Sequence, residues 1–433
     1  MRVVLVSPDR KDVVEARARG RPRLKAPFPP LSLMQVAALT PPEHEVVLVD
    51  EAVEDVCFDI PCDLVGITAF TSSAPRAYDV AGEFRQRGIP VVLGGMHASA
   101  CPEEALQHCD AVVVGEAEGT WAKLLTDARA GRLRRIYRRA DYPDMTCAPA
   151  PRRDLLRREK YLVPDTVQAT RGCSHNCSFC SVSGFFGRRI RSRPAASVAA
   201  EVRSLPGRLV VFVDDNITTV PSYARDLFER LTGAGKKWLG QASTAVLENS
   251  DLVRLAARSG CTALFVGLET LSDAALERVN KGFNVVGGFK DMVARLHDAG
   301  IGVIGSFMFG FDGEDDAVFE RTARFADEAR IDVPQYSILT PLPGTRLHAQ
   351  MEAEGRIIDR DWSHYDGGHV VFAPRGTTPE QLEKGLRQAL KHSYSRLGIL
   401  RRLFGVSRRL PVMLAVNFAF RRRVMAWASG DTR

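Results

Sequence analysis

Three closely spaced cysteines are the residues of this 433-residue chain that are best suited to chemistry. Cys173, Cys177 and Cys180 follow a C-x3-C-x2-C pattern, and thiolates at such short spacing commonly hold iron–sulfur clusters. Three thiolates can bind three corners of a four-iron cluster and leave the fourth iron open to a small molecule. Zinc is the competing metal, because His175 could complete a set of four ligands, and three ordinary buried cysteines are the remaining alternative. The sequence has no second cysteine pair at zinc-knuckle distance, which favours the cluster.

The segment that carries these cysteines alternates strands with helices, at about 30 residues per unit. Six parallel units predict an open, partial barrel rather than a closed eightfold one. The cysteines lie in the loop after the first predicted strand, at the sheet edge where parallel sheets bind ligands. The predicted strands are Val167–Thr170, Leu209–Val213, Trp238–Gln241, Ala263–Val266, Val303–Phe309 and Gln335–Leu339.

The cysteine loop, with Phe179 before its last cysteine and a six-unit series behind it, resembles the radical SAM superfamily over residues 166–345. The resemblance implies that the open iron of a [4Fe–4S] cluster binds the amino and carboxylate groups of S-adenosylmethionine (SAM). Electron transfer from an external donor, of the flavodoxin or ferredoxin type, would then cleave SAM to methionine and a 5′-deoxyadenosyl radical. That radical takes a hydrogen atom from a small-molecule substrate, which requires a dry and enclosed barrel.

The same resemblance implies SAM-binding roles for residues that lie at or beyond the strand ends. An aromatic ring would pack near the adenine, and acidic or amide acceptors would hold the methionine ammonium. The alternative for residues 214–216 is a helix N-cap after a strand. The implied cofactor residues are Phe179, Asp214, Asp215, Asn216, Ser243, Gly267, Glu269 and Ser306.

The first 125 residues predict a second α/β unit, a doubly wound parallel sheet with helices on both faces. Helical patterns such as Ala77–Arg87 and Glu103–His108 separate its strands. The predicted strands are Arg2–Val6, Glu45–Val49, Leu64–Thr68, Val91–Leu93 and Ala111–Val114.

This unit resembles the cobalamin-binding domain that is often fused before a radical SAM barrel. Small residues after its third, fourth and fifth strands would let the nucleotide tail of cobalamin lie against the backbone. The loop after the first strand, Pro8-Asp-Arg-Lys11, lacks the histidine that would coordinate cobalt, so any bound cobalamin has no histidine ligand. A retained but empty domain is the alternative. The residues that carry the resemblance are Thr71, Ser72, Ser73, Gly94, Gly95, Gly115 and Glu116.

These patterns divide the chain into residues 1–130, a linker over 131–165, the barrel over 166–345 and a mostly helical region over 346–433. A polar and aromatic loop, 361–369, follows the barrel, and strand-like His369–Phe372 comes directly after it. We expect this loop either to cross the barrel mouth or to pack against its open edge. Candidate catalytic residues for proton transfer are His364, Tyr365 and Asp366, with Trp362 and His369 as further substrate contacts.

The net charge of +7 comes from two short segments. Residues 396–433 carry nine arginines and one acid, residues 10–25 carry seven basic and two acidic side chains, and the rest of the chain is left at −6. This uneven distribution argues against a nucleic-acid partner. The basic loop Ser7–Lys25 is either a solvated lid or a cover for an anionic group. The tail either packs on the protein or lies on an anionic membrane surface.

The composition predicts a cytoplasmic protein. No run approaches 18 apolar residues, the N-terminus lacks the signal-peptide pattern, and nine cysteines are an odd number in a large chain.

We expect cobalamin-dependent methylation of an unactivated carbon in a natural-product or lipid-like molecule. Radical dehydration, deoxygenation or cyclisation with a non-methylating domain is the alternative. RNA methylthiolation would need further domains that the sequence does not contain, and an iron–sulfur electron carrier is the non-enzymatic alternative.

Overall fold

A computed structural model describes residues 1–404 and 410–428 of the chain. Two six-stranded parallel sheets organise these residues, one in each half. Part of the predicted basic tail, Arg408, Arg409 and Arg433, lies outside the described residues.

The first sheet is buried on both faces. Its first strand is at most 1 % exposed from Val3 to Val6, which is typical of a parallel sheet that helices cover on both sides. The strands are β1 (Arg2–Ser7), β2 (Glu45–Asp50), β3 (Leu64–Thr68), β4 (Val91–Gly94), β5 (Ala111–Val114) and β6 (Ile136–Arg138). Their spatial order is β2-β1-β3-β4-β5-β6, so the winding reverses between β1 and β3, where such sheets bind ligands.

Six helices accompany this sheet. Phe84 and Val80 fill one face, whereas Met34 and Trp121 fill the other. The helices are α1 (Lys11–Ala18), α2 (Leu31–Leu39), α3 (Ala74–Gln86), α4 (Gly95–Ala100), α5 (Pro102–His108) and α6 (Trp121–Arg129).

Two of these elements differ from the sequence-based expectation. The basic segment Ser7–Lys25 is not a plain loop, because it contains α1, and β6 lies within the expected linker.

The second sheet forms the partial barrel. Its strands are β7 (Thr166–Val167), β10 (Leu209–Phe212), β11 (Lys237–Ala242), β12 (Cys261–Glu269), β13 (Gly302–Phe309) and β14 (Val333–Ile338), in the order β14-β13-β12-β11-β10-β7. Seven helices pack outside or beside it: α7 (Val182–Phe186), α8 (Ala195–Ser204), α9 (Pro221–Leu231), α10 (Ser250–Arg258), α11 (Asp273–Arg278), α12 (Phe289–Asp298) and α13 (Val318–Glu328).

The first predicted barrel strand is divided. Only β7 joins the barrel, while β8 (Thr170–Arg171) pairs antiparallel with β9 (Arg191–Ser192) in a short ribbon. The cause is the buried carboxylate of Asp214, which accepts hydrogen bonds from the backbone N–H of Ala169 and Thr170 and so redirects the chain. This ribbon opens the cysteine loop.

The C-terminal region packs against the barrel. It contains α14 (Arg346–Ala353), α15 (Pro379–Ser393), α16 (Arg396–Leu403) and α17 (Leu410–Ala428). The guanidinium of Arg402 is fully buried and bonds the carbonyl of Ser393 at 2.6 Å. The predicted strand His369–Phe372 was wrong, because Phe372 makes one isolated bridge with Ile357 in the described chain.

The loop after α14 reaches back to the first sheet. Trp362 donates its indole N–H to Glu104 at 2.8 Å, and Arg10 contacts Asp366 at 2.5 Å. These contacts join the C-terminal region to the first half of the chain.

Candidate functional site

A cavity of about 610 Å³ lies between the two sheets. The first half contributes Ser73, Gly95 and Gly115, and the barrel half contributes Arg171 and Asp215. Four of these residues follow parallel strands and Arg171 lies in the short ribbon, so the ligand-binding edges of the two sheets face each other across one space. Several proline and phenylalanine side chains give the wall an apolar character, among them Pro27, Phe28, Pro29, Phe70, Phe185 and Phe186.

A narrow pocket of about 70 Å³ continues the cavity into the first sheet. Leu5 of β1 and Gly66 of β3 line it, which places it at the point where the winding reverses. A Cβ at Gly66 would meet Leu5 at 3.0 Å and Trp121 at 3.2 Å, so only glycine leaves this space open. A wide chamber with a narrow extension fits a corrin ring and its nucleotide tail.

The glycines predicted to bind cobalamin line these spaces. Gly94 lines the narrow pocket, and Gly95 and Gly115 line both spaces. Gly95 has φ +88°, and a Cβ there would lie 2.5 Å from Thr68, so the backbone approach requires glycine. Ser73 also lines the cavity, whereas Thr71 and Ser72 belong to the same 3-10 turn without lining it.

The three motif cysteines are free thiols in one loop. Burial raises the pKa of Cys177 to about 11 and also raises the pKa of Cys173 and Cys180. A metal cluster must displace these protons, because thiolates are the ligands. Lys281 lies close enough to counter the charge on Cys177, so a cationic group accompanies the three thiols.

The geometry favours a cluster over zinc. A tetrahedral zinc ion with Zn–S bonds of ~2.3 Å brings its sulfurs to roughly 3.8 Å of one another. Among the described residues the three sulfurs do not form a group within 4.8 Å. The zinc alternative also needs His175, whose ring is stacked on Phe283 with centroids 3.8 Å apart.

Asp214, Asp215 and Asn216 have three different surroundings. Asp214 binds the backbone before the cysteine loop, and Asn216 accepts from its own neighbour Thr218 at 2.9 Å, as in a helix-capping turn. Asp215 lines the cavity, and its Oδ2 is buried without a hydrogen-bond partner in the described part of the chain. Burial, followed by the nearby charge of Asp214, raises the pKa of Asp215 to about 7. An orphaned buried acceptor beside the cysteine loop fits the ammonium of SAM.

Glu269 forms an ion pair with Lys281 next to the cysteines. It ends β12 with φ +71°, at a bulge opposite Ser306 and Phe307 of β13. Gly267 leaves room for this pair, because a Cβ there would lie 2.9 Å from the lysine Nζ. The pair presents one cation and one anion near the thiols, which suits a ligand with both an amino and a carboxylate group.

The remaining SAM candidates lie around this pair. The ring of Phe179 packs edge-on to Phe311, with Lys281 Nζ 5.8 Å from its centroid. Ser306 lies on β13 at a half-buried position of the alternating strand, and Ser243 directly follows β11 and precedes a 3-10 turn. Neither serine lines the cavity between the sheets.

Glu116 lines the cavity but is engaged by protein groups. Its carboxylate contacts Arg171 and Arg191 of the β8–β9 ribbon, and its side chain is 3 % exposed. Sequence reasoning placed Glu116 among cobalamin contacts, whereas the structure places it between the two halves of the chain.

The predicted catalytic loop residues do not line this cavity. Tyr365 is buried and donates its hydroxyl to the carbonyl of Asp359, and His364 contacts the same residue's carboxylate at 2.6 Å. Burial raises the pKa of Asp366, but His369 and Arg10 outweigh it and hold that pKa at about 2. The loop therefore packs against the helical layer of the first half, where Asp366 contacts Arg10 and Trp362 contacts Glu104.

Sequence reasoning missed Lys281, Asn284 and Arg171. Asn284 donates to the carbonyl of Gly267 at 2.9 Å and accepts from Thr244 at 2.7 Å. Lys281 and Asn284 belong to an irregular loop with no periodic signal. Arg171 had a signal, since a cation two residues before the first motif cysteine lies close to the cluster site.

Comparison with known proteins agrees with this arrangement. The Radical SAM superfamily model matches residues 167–326, and the B12 binding domain model matches residues 23–125. Bacteriochlorophyllide d C-12(1)-methyltransferase from Chlorobaculum tepidum is 32 % identical over 91 % of this chain and 88 % of the relative. The C-8(2)-methyltransferase of the same organism is 30 % identical over 92 % of each chain.

The fold is shared with solved structures. OxsB, a cobalamin-dependent S-adenosylmethionine radical enzyme, matches with a TM-score of 0.69 and 13 % identity, over 98 % of this chain and 71 % of that one. The chain belongs to the radical SAM superfamily and carries a B12-binding domain before its radical SAM domain. It is an enzyme whose cofactors are a [4Fe–4S] cluster, SAM and cobalamin.

Proposed function

We propose that the protein transfers a methyl group from SAM to a carbon of a bulky, largely apolar small molecule. The observation that carries this proposal is the shared cavity, in which Asp215 and Arg171 of the radical SAM half face Gly95 and Gly115 of the B12-binding half. Relatives that act on bacteriochlorophyllide d, and a hopanoid C-2 methylase from Rhodopseudomonas palustris at 27 % identity over 77 % of this chain and 66 % of the relative, support the substrate class.

The cluster supplies the electron that cleaves SAM to a 5′-deoxyadenosyl radical, and cobalamin supplies a methyl carrier. Cys173, Cys177 and Cys180 would hold the cluster. Asp215 accepts the ammonium of SAM, and Lys281 attracts its carboxylate. The apolar walls exclude water from the substrate carbon while hydrogen is removed, which protects the radical.

Product analysis tests the proposal. With the reconstituted enzyme, reductant, cobalamin and bacteriochlorophyllide d or a hopanoid, we expect equal amounts of S-adenosylhomocysteine and 5′-deoxyadenosine. One SAM donates the methyl group and a second makes the radical. Formation of 5′-deoxyadenosine alone, with a substrate changed in mass by anything other than a methyl group, contradicts methylation and supports dehydration or cyclisation. Enzyme without cobalamin is the control.

Replacing Asp215 weakens SAM binding in the proposed mechanism. A charge-assisted hydrogen bond contributes about 1.5–3 kcal/mol, so we expect Asp215→Asn to raise the KM for SAM about 10- to 100-fold. Because the pKa of Asp215 is raised to about 7, its carboxylate form grows as the pH rises through 7, and the wild-type KM should fall over that range. The variant should lose this pH dependence.

The measurement is the steady-state rate of 5′-deoxyadenosine formation against SAM concentration at several pH values. Asp251→Asn, which changes an exposed carboxylate on α10, is the matched control. An unchanged KM in Asp215→Asn contradicts the assignment of the ammonium site.

The electron donor and the cellular surface also belong to the proposal. We propose that a flavodoxin- or ferredoxin-type protein reduces the cluster and that the C-terminal helices contact an anionic membrane surface. No described helix is long and apolar enough to cross a membrane. On α16 and at its end, Leu397, Leu400 and Phe404 are exposed, the last at 76 %, and exposed Arg396 and Arg401 flank them. Apolar groups among cations suit an anionic headgroup layer.

Flotation with vesicles tests the surface contact. We expect the protein to float with phosphatidylglycerol-containing vesicles at low salt, to dissociate at high salt, and to stay behind with phosphatidylcholine alone. Leu400→Glu/Phe404→Glu should abolish flotation, while the opposite side of α16, which buries Ile399 and Leu403, remains packed. Flotation that is unchanged in this variant contradicts the proposed surface.

A further inference from the structure

Two arginines face each other across the short ribbon that leads into the cysteine loop. Arg171 of β8 and Arg191 of β9 are direct cross-strand partners. Their side chains are 9 % and 10 % exposed. Like charges directly opposite each other destabilise a strand pair, and this ribbon has only two residues on each strand. It therefore needs a counter-charge from elsewhere.

The counter-charge comes from the B12-binding domain. Glu116, just beyond β5, inserts its carboxylate between the two guanidiniums. Its Oε1 accepts from Arg191 at 2.6 Å, and its Oε2 accepts from Arg171 and from Arg191. Glu118 adds a contact to Arg171 at 2.8 Å. One domain thus neutralises a repulsive pair in the other.

The backbone between Arg171 and the first motif cysteine has little conformational freedom, so a shift of Arg171 would also move the cysteine loop. Gly172, between Arg171 and Cys173, has φ +90°, and a Cβ there would lie 2.7 Å from the carbonyl oxygen of Arg189. The backbone of Gly172 is therefore held closely against the backbone around Arg189 at the other strand of the ribbon. Glu116 and Arg171 also line the cavity together, so the contact lies between the two cofactor sites.

Stability alone does not account for this network. Buried ion pairs are often no more stable than apolar groups of the same size, because removing the charges from water is costly. A network of this kind does fix relative position, since the Arg191 fork donates to both oxygens of Glu116 in one geometry. Arg171 donates through Nη1 to both Glu116 and Glu118.

We propose that Glu116 is a positioning residue: by neutralising the Arg171–Arg191 pair, it fixes the cysteine loop against the ligand edge of the B12-binding domain. It thereby sets the separation of the cluster and the corrin. The inference rests on the binding of these two cofactors and holds whether or not the product is methylated.

Distance measurement by pulsed electron paramagnetic resonance tests the inference in the full chain. The reduced cluster and the cobalt(II) corrin are both paramagnetic, so their separation can be measured without substrate turnover. We expect Glu116→Gln to retain iron and corrin but to shift or broaden the distance distribution by about 1 Å or more, a misplacement that can cost on the order of 100-fold in rate. The additional change Arg191→Gln removes the repulsion and should restore a narrow distribution.

Asp366→Asn is the matched control, because the Arg10–Asp366 contact also joins the two halves but does not line the cavity with Glu116. We expect its distance distribution to match the wild type. An unchanged distribution in Glu116→Gln, or no recovery in the double variant, overturns the proposal. Loss of corrin with retained iron also overturns it, because Glu116 would then be a corrin contact. If Glu116→Gln does not fold, Glu118→Gln replaces it, and an unchanged distribution there is equally contrary.

Discussion

Cys177→Ala should reduce 5′-deoxyadenosine formation to the background seen without enzyme. The three motif cysteines are the thiolates available in this loop, and a cluster with one iron left open for SAM needs all of them. Cys177 is the most buried of the three, and its replacement by alanine removes one of the three ligands of the cluster. The measurements are iron and sulfide content after anaerobic reconstitution, the visible absorbance of the cluster, and the 5′-deoxyadenosine formed with dithionite.

Cys57→Ala is the control for this variant, because Cys57 is an exposed thiol in the first half of the chain. We expect it to bind a full cluster and to cleave SAM at the wild-type rate. A Cys177→Ala protein that still cleaves SAM contradicts the assignment of the cluster ligands.

Gly94→Leu should weaken cobalamin binding while leaving the cluster intact. Gly94 has φ −148°, which any residue adopts, and a Cβ there would meet only Val113, at 3.8 Å. The leucine side chain is therefore tolerated by the backbone and extends into the narrow pocket of about 70 Å³ that both residues line. Overpacking costs about 1–3 kcal/mol, so the Kd for cobalamin should rise about 10- to 100-fold.

Equilibrium dialysis with hydroxocobalamin measures this change, and iron content reports on the untouched half. Gly82→Leu is the matched control, because it makes the same substitution on α3, where a Cβ meets nothing within 4 Å. Wild-type cobalamin affinity in Gly94→Leu would mean that the nucleotide tail does not use the narrow pocket.

The sheets could be predicted from the sequence because their strands are apolar on both faces and helical patterns separate most of them. Val91–Leu93 and Ala111–Val114 are runs of this kind, and the structure places strands there. The division of Val167–Thr170 could not be predicted, since it depends on Asp214, which lies more than forty residues later. His369–Phe372 has an apolar strand pattern, yet Asp366 bonds the backbone N–H of His369 and no neighbouring strand completes a sheet there in the described chain.

The site shows the same division between local and distant information. The cysteine motif carries its ligands within eight residues, so spacing alone points to a cluster. The contacts of Glu116 with Arg171 and of Lys281 with Glu269 join residues on separate elements. No local pattern encodes them. Tyr365 and Asp366 looked catalytic because polar and aromatic residues cluster there, but in the fold Tyr365 bonds within its own loop and Asp366 contacts Arg10 of the first half.

The return of the loop 359–369 to the first sheet has a consequence for biosynthesis. The last strand of that sheet ends at Arg138. The loop residue that pairs with Arg10 of the first half is Asp366, much later in the chain. At ribosomal rates of about 5–20 residues per second, roughly 10 to 45 s separate the synthesis of these two positions. At the start of this interval the nascent first domain has its strands but lacks the barrel wall of the cavity, which residues 168–215 supply. Cobalamin can therefore reach its edge most freely before the chain is complete, and supply of the vitamin during expression should load the protein better than addition afterwards.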